Sequence, residues 1–92
     1  MGERSAAASI TVTIRYFAAA RAAAGVPQEE LAVAGRGSVD LVLAAAVELH
    51  GPQLAKVLQR CSFLLDEVAV HSRRTPVLDG QVLDVLPPFA GG

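Results

Sequence analysis

An alternating run of apolar and polar residues near the start of the chain limits the fold more than any other feature. The run covers residues 10–17, and every second position is apolar: Ile10, Val12, Ile14 and Tyr16. Because side chains alternate between the two faces of a strand, this pattern predicts a half-buried β-strand. Phe17 has the parity of Thr13 and Arg15, so we expect it on the face away from the core.

The size of the chain fits one domain, and its charge argues against binding to nucleic acid. The 92 residues are 52% hydrophobic, but much of this is alanine, so the core must come from a sparser set of Val, Leu, Ile and Phe. The net charge is −1, whereas phosphate binding needs clustered Lys and Arg. The adjacent pair Arg73-Arg74 is expected in a solvated loop.

Cysteine and histidine usage points to a soluble, cytoplasmic protein without a metal. Cys61 is the only cysteine, which suits a reducing compartment, and we expect it to be a small buried hydrophobe. His50 and His71 lack metal-ligand spacing. Residues 1–9 lack the apolar segment of a signal peptide and are expected to form a flexible leader, and no stretch is long enough to span a membrane.

Two further elements follow the first strand. Residues 18–24 are rich in alanine and are followed by Gly25 and Pro27, which predicts a short helix. Residues 29–34 predict a second strand with Leu31 and Val33 inward. With their short connection, the two strands are expected to form a hairpin-like pair.

The middle of the chain predicts two helices. Ser38 is the expected N-cap of a helix that has one apolar face and ends before Gly51 and Pro52. Leu54, Val57 and Leu58 predict a short second helix.

The last third of the chain predicts strands. Residues 63–65 and 68–70 form two short pieces around a turn, and residues 82–86 form a final strand after the turn Asp79-Gly80. On this strand Leu83 and Val85 share the inward parity, so Asp84 and Leu86 are expected to face water. The order of elements predicts an α+β fold, with one mixed sheet curved around one main helix. If the first and last strands lie side by side at its centre, the fold is a β-grasp.

The chain ends with two prolines and two glycines, in the order Pro87-Pro88-Phe89-Ala90-Gly91-Gly92. Residues without side chains can enter a narrow channel in another protein, and proline stiffens the exit from the domain. From Pro88 the tail can reach about 17 Å. The alternative is a frayed terminus that happens to end in glycine.

The element order, with RYFAAARAAAG near the start and LDGQVLDVLPPFAGG at the end, resembles the MoaD/ThiS family of ubiquitin-like sulfur carriers. The resemblance covers about residues 10–92 and implies a β-grasp domain over 10–88 and a flexible tail over 89–92. The double proline is more similar to MoaD than to ThiS. Family members often have an acidic residue after the turn glycine, where this chain has Gln81.

The resemblance implies a sulfur-carrier function in molybdenum cofactor biosynthesis. An activating enzyme of the MoeB type would use ATP to adenylylate the carboxylate of Gly92, and a sulfur donor would convert it to a thiocarboxylate. A MoaE-like large subunit of molybdopterin synthase would take in Phe89, Ala90 and Gly91, and sulfur would pass to a pterin precursor. The chain would bind no cofactor, and the catalytic groups would belong mostly to its partners.

The resemblance also gives a role to exposed residues near the tail. Phe17, Leu86 and Pro88 would form a docking patch for both partners, next to Phe89. Arg21 would bond partner carboxylates, although a solvated arginine on an alanine-rich helix explains it equally well.

Two other functions stay open. The same tail would suit a carrier that delivers sulfur to thiamine, cysteine or another product, or a modifier conjugated to lysines. The chain could also be an interaction module whose glycines are incidental. Lys56 is the only lysine, so self-conjugation would have one side-chain site.

Overall fold

The computed structural model describes residues 9–88, and the elements lie in the predicted order. They are β1 (Ser9–Tyr16), α1 (Ala18–Ala24), β2 (Gln28–Ala34), α2 (Val39–His50), α3 (Pro52–Leu58), β3 (Ser62–Leu65), β4 (Val68–Ala69) and β5 (Val82–Leu86). The predicted leader, apart from Ser9, and the predicted tail 89–92 lie outside the described residues.

The sheet has the strand order β2-β1-β5-β3-β4, which confirms the β-grasp prediction. β1 pairs with β2 in antiparallel and with β5 in parallel orientation, and β3 pairs antiparallel with β5 and β4. Parallel neighbours need a long crossover, and the segment between β1 and β5 contains all three described helices. The carboxyl ends of the two central strands therefore lie together at one end of the sheet.

Helix α2 forms where its flanking residues favour it. Ser38 Oγ accepts a hydrogen bond from the backbone N–H of Leu41 at 3.3 Å, which confirms the N-cap, and Asp40 lies in the first turn. The helix ends at Gly51, whose φ of +99° is a conformation that residues with side chains rarely adopt. Pro52 then begins α3, so the same Gly-Pro pair ends one helix and starts the next.

One face of the sheet packs against α2 and α3 to form the core. The inward parities predicted for β1, β2 and β5 are confirmed for the side chains that are at most 8% exposed: Val12, Ile14, Tyr16, Leu31, Val33, Leu83 and Val85. Ile10, near the start of β1, is only partly buried against the same core. Phe63 and Leu65 of β3 complete this face. The helices contribute Val39, Val42, Leu43, Ala46, Leu54 and Leu58.

The end of the sheet opposite the tail is closed by side-chain hydrogen bonds. Asp66 Oδ1 accepts from the N–H of Val82 at 2.9 Å, and Gln81 Nε2 donates to Asp66 Oδ2 at 3.0 Å. Gln81 Oε1 accepts from the N–H of Leu78 at 2.8 Å. An acidic residue at position 81 would lack the donor for Asp66, so the departure from the family pattern fits its surroundings.

Two expectations for isolated residues need correction. Arg73 is not simply solvated, because its Nη2 donates to the carbonyl of Leu58 at 2.8 Å and its guanidinium lies 5.1 Å from the centre of the Phe63 ring. Cys61 is partly rather than fully buried, and its thiol donates to the carbonyl of Val57 at 3.2 Å. Burial raises the pKa of the Cys61 thiol, which makes it a weak nucleophile at neutral pH.

Candidate functional site

The predicted site divides into a tail and the surface from which the tail leaves. The tail residues Phe89, Ala90, Gly91 and Gly92 lie outside the described residues. What the structure describes is the end of β5, the prolines that follow it, and the neighbouring strands. We call Phe17, Leu86 and Pro88 the docking patch.

The parallel pairing of β1 and β5 brings the docking patch together. Tyr16 lies opposite Val85 in the register, and the N–H of Phe17 donates to the carbonyl of Val85 at 3.2 Å. The ladder thus continues one residue past β1, and Phe17 lies beside Leu86 at the carboxyl ends of the two central strands. Ser62 of β3 flanks Leu86 on the other side.

The exposure of the patch follows the predicted parity for Phe17 and less fully for Leu86. Phe17 is 41% exposed, which is high for a large aromatic side chain, and Pro88 is exposed. Leu86 is partly buried instead of facing water. An exposed aromatic beside a partly buried leucine gives an apolar surface at the place where the tail begins.

The expectation that Asp84 faces water is wrong. Asp84 shares the outward parity of Leu86 but is only 5% exposed. Arg15 lies opposite it on β1, with its Nε and Nη2 donating to the two carboxylate oxygens at 2.5 and 2.8 Å. Hydrogen bonding to Asp84 and the charge of that carboxylate raise the pKa of Arg15. The outer face of the sheet therefore carries an ion pair next to the docking patch, with a buried carboxylate and a partly exposed guanidinium.

Arg21 lies near the patch on α1. The N–H of Arg21 donates to the carbonyl of Phe17 at 3.4 Å, which places it one helical turn after the aromatic residue. Its side chain is exposed and has no hydrogen-bond or ion-pair partner among residues 9–88. The guanidinium is thus available to an acceptor from another molecule, as the first of the two interpretations requires.

A polar cluster at the buried end of β1 was not predicted from the sequence. The hydroxyl of Tyr16 donates to Glu29 Oε2 at 2.6 Å, and His50 Nε2 lies 2.6 Å from the same oxygen. Burial and the hydrogen bond to Glu29 raise the pKa of Tyr16 well above its ordinary value. A buried tyrosine needs a partner for its hydroxyl, so the inward parity of Tyr16 was the available signal. The cluster joins β1, β2 and the end of α2 on the core side of the sheet.

The described residues contain little else of chemical interest. Within residues 9–88, no group of three or more His, Cys, Asp and Glu side chains could hold a metal ion. In the same part of the chain, no helix has the length and apolar character needed to cross a membrane. A groove of about 750 Å³ between β2, α2 and α3 is lined mainly by alanine and leucine and does not include the patch.

Comparison with known proteins gives a consistent result. The ThiS family model matches residues 14–92. The sequence is 29% identical over 82 residues to the molybdopterin synthase sulfur carrier subunit of Chlamydomonas reinhardtii, covering 88% of this chain and 98% of that protein.

Solved structures share the fold. Small archaeal modifier protein 1 from Haloferax volcanii superimposes with a TM-score of 0.77 at 23% identity, over 87% of this chain and 99% of that one. A chain from the complex of subunits 1 and 2 of the molybdopterin-converting factor from Helicobacter pylori gives a TM-score of 0.61 at 23% identity, over 90% and 100%. The family model covers most of the sequence, including the last strand and the tail, and the chain belongs to the ThiS family, the MoaD/ThiS group of ubiquitin-like sulfur carriers.

Proposed function

We propose that the chain is the sulfur-carrying small subunit of a molybdopterin synthase and that it carries sulfur as a thiocarboxylate on Gly92. The observation that carries the proposal is the parallel pairing of β1 with β5. This pairing makes the tail start from an apolar surface, so one partner can bind the domain and receive the tail at the same time.

Two comparisons support this choice within the family. The Chlamydomonas relative is named as a sulfur carrier subunit of molybdopterin synthase. The Helicobacter structure is a complex of two subunits of the molybdopterin-converting factor, which gives a precedent for a large-subunit partner of the MoaE type. The Pro87-Pro88 sequence before the tail points the same way, since it resembles MoaD more than ThiS.

The proposed chemistry begins with a carboxylate, which is a poor electrophile. A MoeB-like enzyme binds ATP, the Gly92 carboxylate attacks the α-phosphorus, and pyrophosphate leaves to give an acyl adenylate. Hydrosulfide, or a donor that delivers sulfur at the same oxidation level, attacks the acyl carbon and displaces AMP. In the large subunit the thiocarboxylate sulfur attacks a carbon of the pterin precursor and displaces an oxygen substituent, which leaves with the bonding electron pair and takes up a proton. Water then cleaves the acyl–sulfur bond, which leaves the sulfur on the pterin and regenerates the carboxylate.

In this scheme the chain supplies reach and recognition, and the partners supply the catalytic groups. Gly91 and Gly92 let a channel close around the backbone, because a β-carbon would add width at the narrowest place. The apolar docking patch supplies binding energy, and Arg21 offers hydrogen bonds to a partner carboxylate. The chain itself would bind neither ATP nor another cofactor.

The test uses intact mass after incubation with the activating enzyme, ATP and sulfide. We expect the native chain to gain the mass of an oxygen-to-sulfur exchange at its C-terminus. Deletion of Gly92 or the change Gly91→Val should abolish this product without changing the melting curve. Leu49→Ala, an exposed apolar change on α2, serves as the control and should react normally. Normal activation of the chain lacking Gly92 would refute the carrier chemistry.

The second candidate is a protein modifier, which the fold shared with small archaeal modifier protein 1 favours. A modifier would form isopeptide bonds between Gly92 and lysines of other proteins, whereas the small subunit would convert a pterin precursor with its large subunit. Incubation of activated chain with the large subunit and precursor distinguishes them. Product formation supports the synthase, and conjugates without product support the modifier.

A further inference from the structure

We infer that the Arg15–Asp84 ion pair determines which partners the outer face accepts, by requiring a hydrogen-bond acceptor opposite Arg15. This inference rests on the proposed function, since it concerns the partner that covers the docking patch. It identifies that partner by chemistry: a protein surface that is apolar opposite Phe17 and Leu86 and presents an oxygen acceptor opposite Arg15.

The position of the pair supports this role. Arg15 and Phe17 have the same parity on β1, and Asp84 and Leu86 have the same parity on β5. Residues two apart on a strand are separated by about 7 Å on one face. The pair therefore lies in the row next to the docking patch, and a partner large enough to cover the patch also covers Arg15.

The two members of the pair differ in how many of their hydrogen-bonding groups have a partner. Both oxygens of Asp84 are bonded to Arg15, and the side chain of Asp84 is only 8% exposed. The side chain of Arg15 is 39% exposed and uses two of its five N–H groups on Asp84. The remaining donors make no hydrogen bond within residues 9–88, and the exposure of the side chain leaves them accessible to solvent or to a partner. A partner that removes this water without supplying an acceptor leaves them unsatisfied, which costs affinity.

The charges around the pair set the kind of acceptor. Asp84 compensates the charge of Arg15, and the carboxylate of Glu67 is near enough to act on it as well. A groove of about 280 Å³ is lined by Arg15, Asp66, Glu67 and Val82. Because the negative charge already exceeds the positive charge here, a neutral acceptor such as a backbone carbonyl or a side-chain amide fits better than a further carboxylate.

The ion pair stabilises the fold only weakly. We therefore attribute its main effect to the selection of binding partners. Because the Arg15 side chain is 39% exposed, water competes for its charge and the pair contributes little to stability. Removing Arg15 alone would leave the buried carboxylate of Asp84 uncompensated. At the neighbouring row of the same face, Val82 shows that the sheet accepts an apolar residue on this side. The unsatisfied donors penalise every partner that lacks the acceptor, and this is how specificity against wrong partners arises.

The test compares binding to two purified large subunits, the one from the same cell and subunit 2 of the Helicobacter pylori factor. The variants are the double change Arg15→Leu with Asp84→Leu, and Arg15→Lys, which keeps the charge but lacks the planar fork of donors. Thr13→Val on the same face is the matched control. We expect the native chain to bind its own large subunit more tightly than the Helicobacter subunit. The preference is the dissociation constant for the Helicobacter subunit divided by that for the chain's own large subunit. Both variants should lower this ratio by at least about tenfold.

The outcomes separate this inference from the proposed function. An unchanged ratio in both variants, or a native chain without preference, overturns the inference. If the double change does not fold, the Arg15→Lys variant decides. Phe17→Ala is measured in parallel. If Phe17→Ala weakens binding but the Arg15 and Asp84 variants leave the ratio unchanged, only the selectivity role of the ion pair is refuted. If Phe17→Ala does not weaken binding, the docking patch itself is refuted.

Discussion

Replacing Phe17 and Val85 separately should distinguish a surface that binds from a surface that folds. The two residues are joined by a backbone hydrogen bond of 3.2 Å but lie on opposite faces of the sheet. Val85 is fully buried, and Phe17 is 41% exposed. Val85→Ala should therefore lower stability, and Phe17→Ala should lower partner affinity.

The magnitudes follow from the burial of each side chain. Val85→Ala removes two methyl groups at about 0.8 kcal/mol each and leaves a small cavity, for a total loss of about 2–3 kcal/mol. In a domain of this size that corresponds to a fall in Tm of roughly 8–24 °C. Because Phe17 is already partly exposed and its site can relax, Phe17→Ala should cost about 1–2 kcal/mol as an upper estimate.

The affinities should show the reverse order. Phe17→Ala should weaken binding to the large subunit by about 1–3 kcal/mol, the range of interface anchors, which is roughly a 5- to 150-fold rise in Kd. Below its melting temperature, the Val85→Ala variant should bind within about threefold of the native chain. Leu49→Ala controls for the loss of an exposed apolar side chain, since Leu49 is 61% exposed on α2.

The assays are thermal unfolding followed by circular dichroism and titration calorimetry with the large subunit. The Leu86→Ala variant should lie between the Val85→Ala and Phe17→Ala variants in both melting temperature and partner affinity, because Leu86 is partly buried. An affinity of the Phe17→Ala variant equal to that of Leu49→Ala would refute the docking patch. A Tm of the Val85→Ala variant equal to that of the native chain would refute the face assignment of β5.

Three further predictions follow from single residues. Lys56→Arg should leave sulfur transfer by the reconstituted two-subunit enzyme unchanged, because it removes only an amine on α3; lost turnover at unchanged affinity would give Lys56 a chemical role. Gln81→Glu should lower stability at pH 7 by about 0.5–1.5 kcal/mol, because it exchanges the donor to Asp66 for a second carboxylate. That loss of stability should shrink near pH 4, where the introduced glutamate side chain is partly protonated and can again donate a hydrogen bond to Asp66. A loss that does not change with pH in urea titrations would contradict this explanation. Cys61 should react with iodoacetamide at pH 7.5 more slowly than free cysteine, because burial raises the pKa of its thiol; equal rates would show that the thiol is accessible and acidic.

The sequence by itself determined the elements and the facing of their side chains. The alternation through Ile14 and Tyr16, the cap at Ser38 and the break at Gly51 each depend on residues within one or two turns, and all are present in the structure. The mixed sheet followed from the order of these elements. Such features are readable because helix and strand periods are set by the local backbone.

Only the tertiary structure determined which side chains from distant parts of the sequence are in contact. Arg15 and Asp84 are 69 positions apart, and no local pattern indicates that one covers the other. The expectation that Asp84 faces water failed for this reason: parity gives the face of a side chain, whereas burial depends on the side chain opposite it.

The same holds for the side-chain hydrogen bonds between segments that are distant in the sequence. Glu29 meets Tyr16 and His50 because β2, β1 and the end of α2 converge, and Asp66 meets Gln81 because β3 and β5 are paired. The adjacency of Phe17 and Leu86 depends likewise on the parallel pairing of the first and last strands. Residue types and periods are encoded locally, but a binding surface is assembled by strand pairing between distant segments, and that pairing is settled only when the whole core packs.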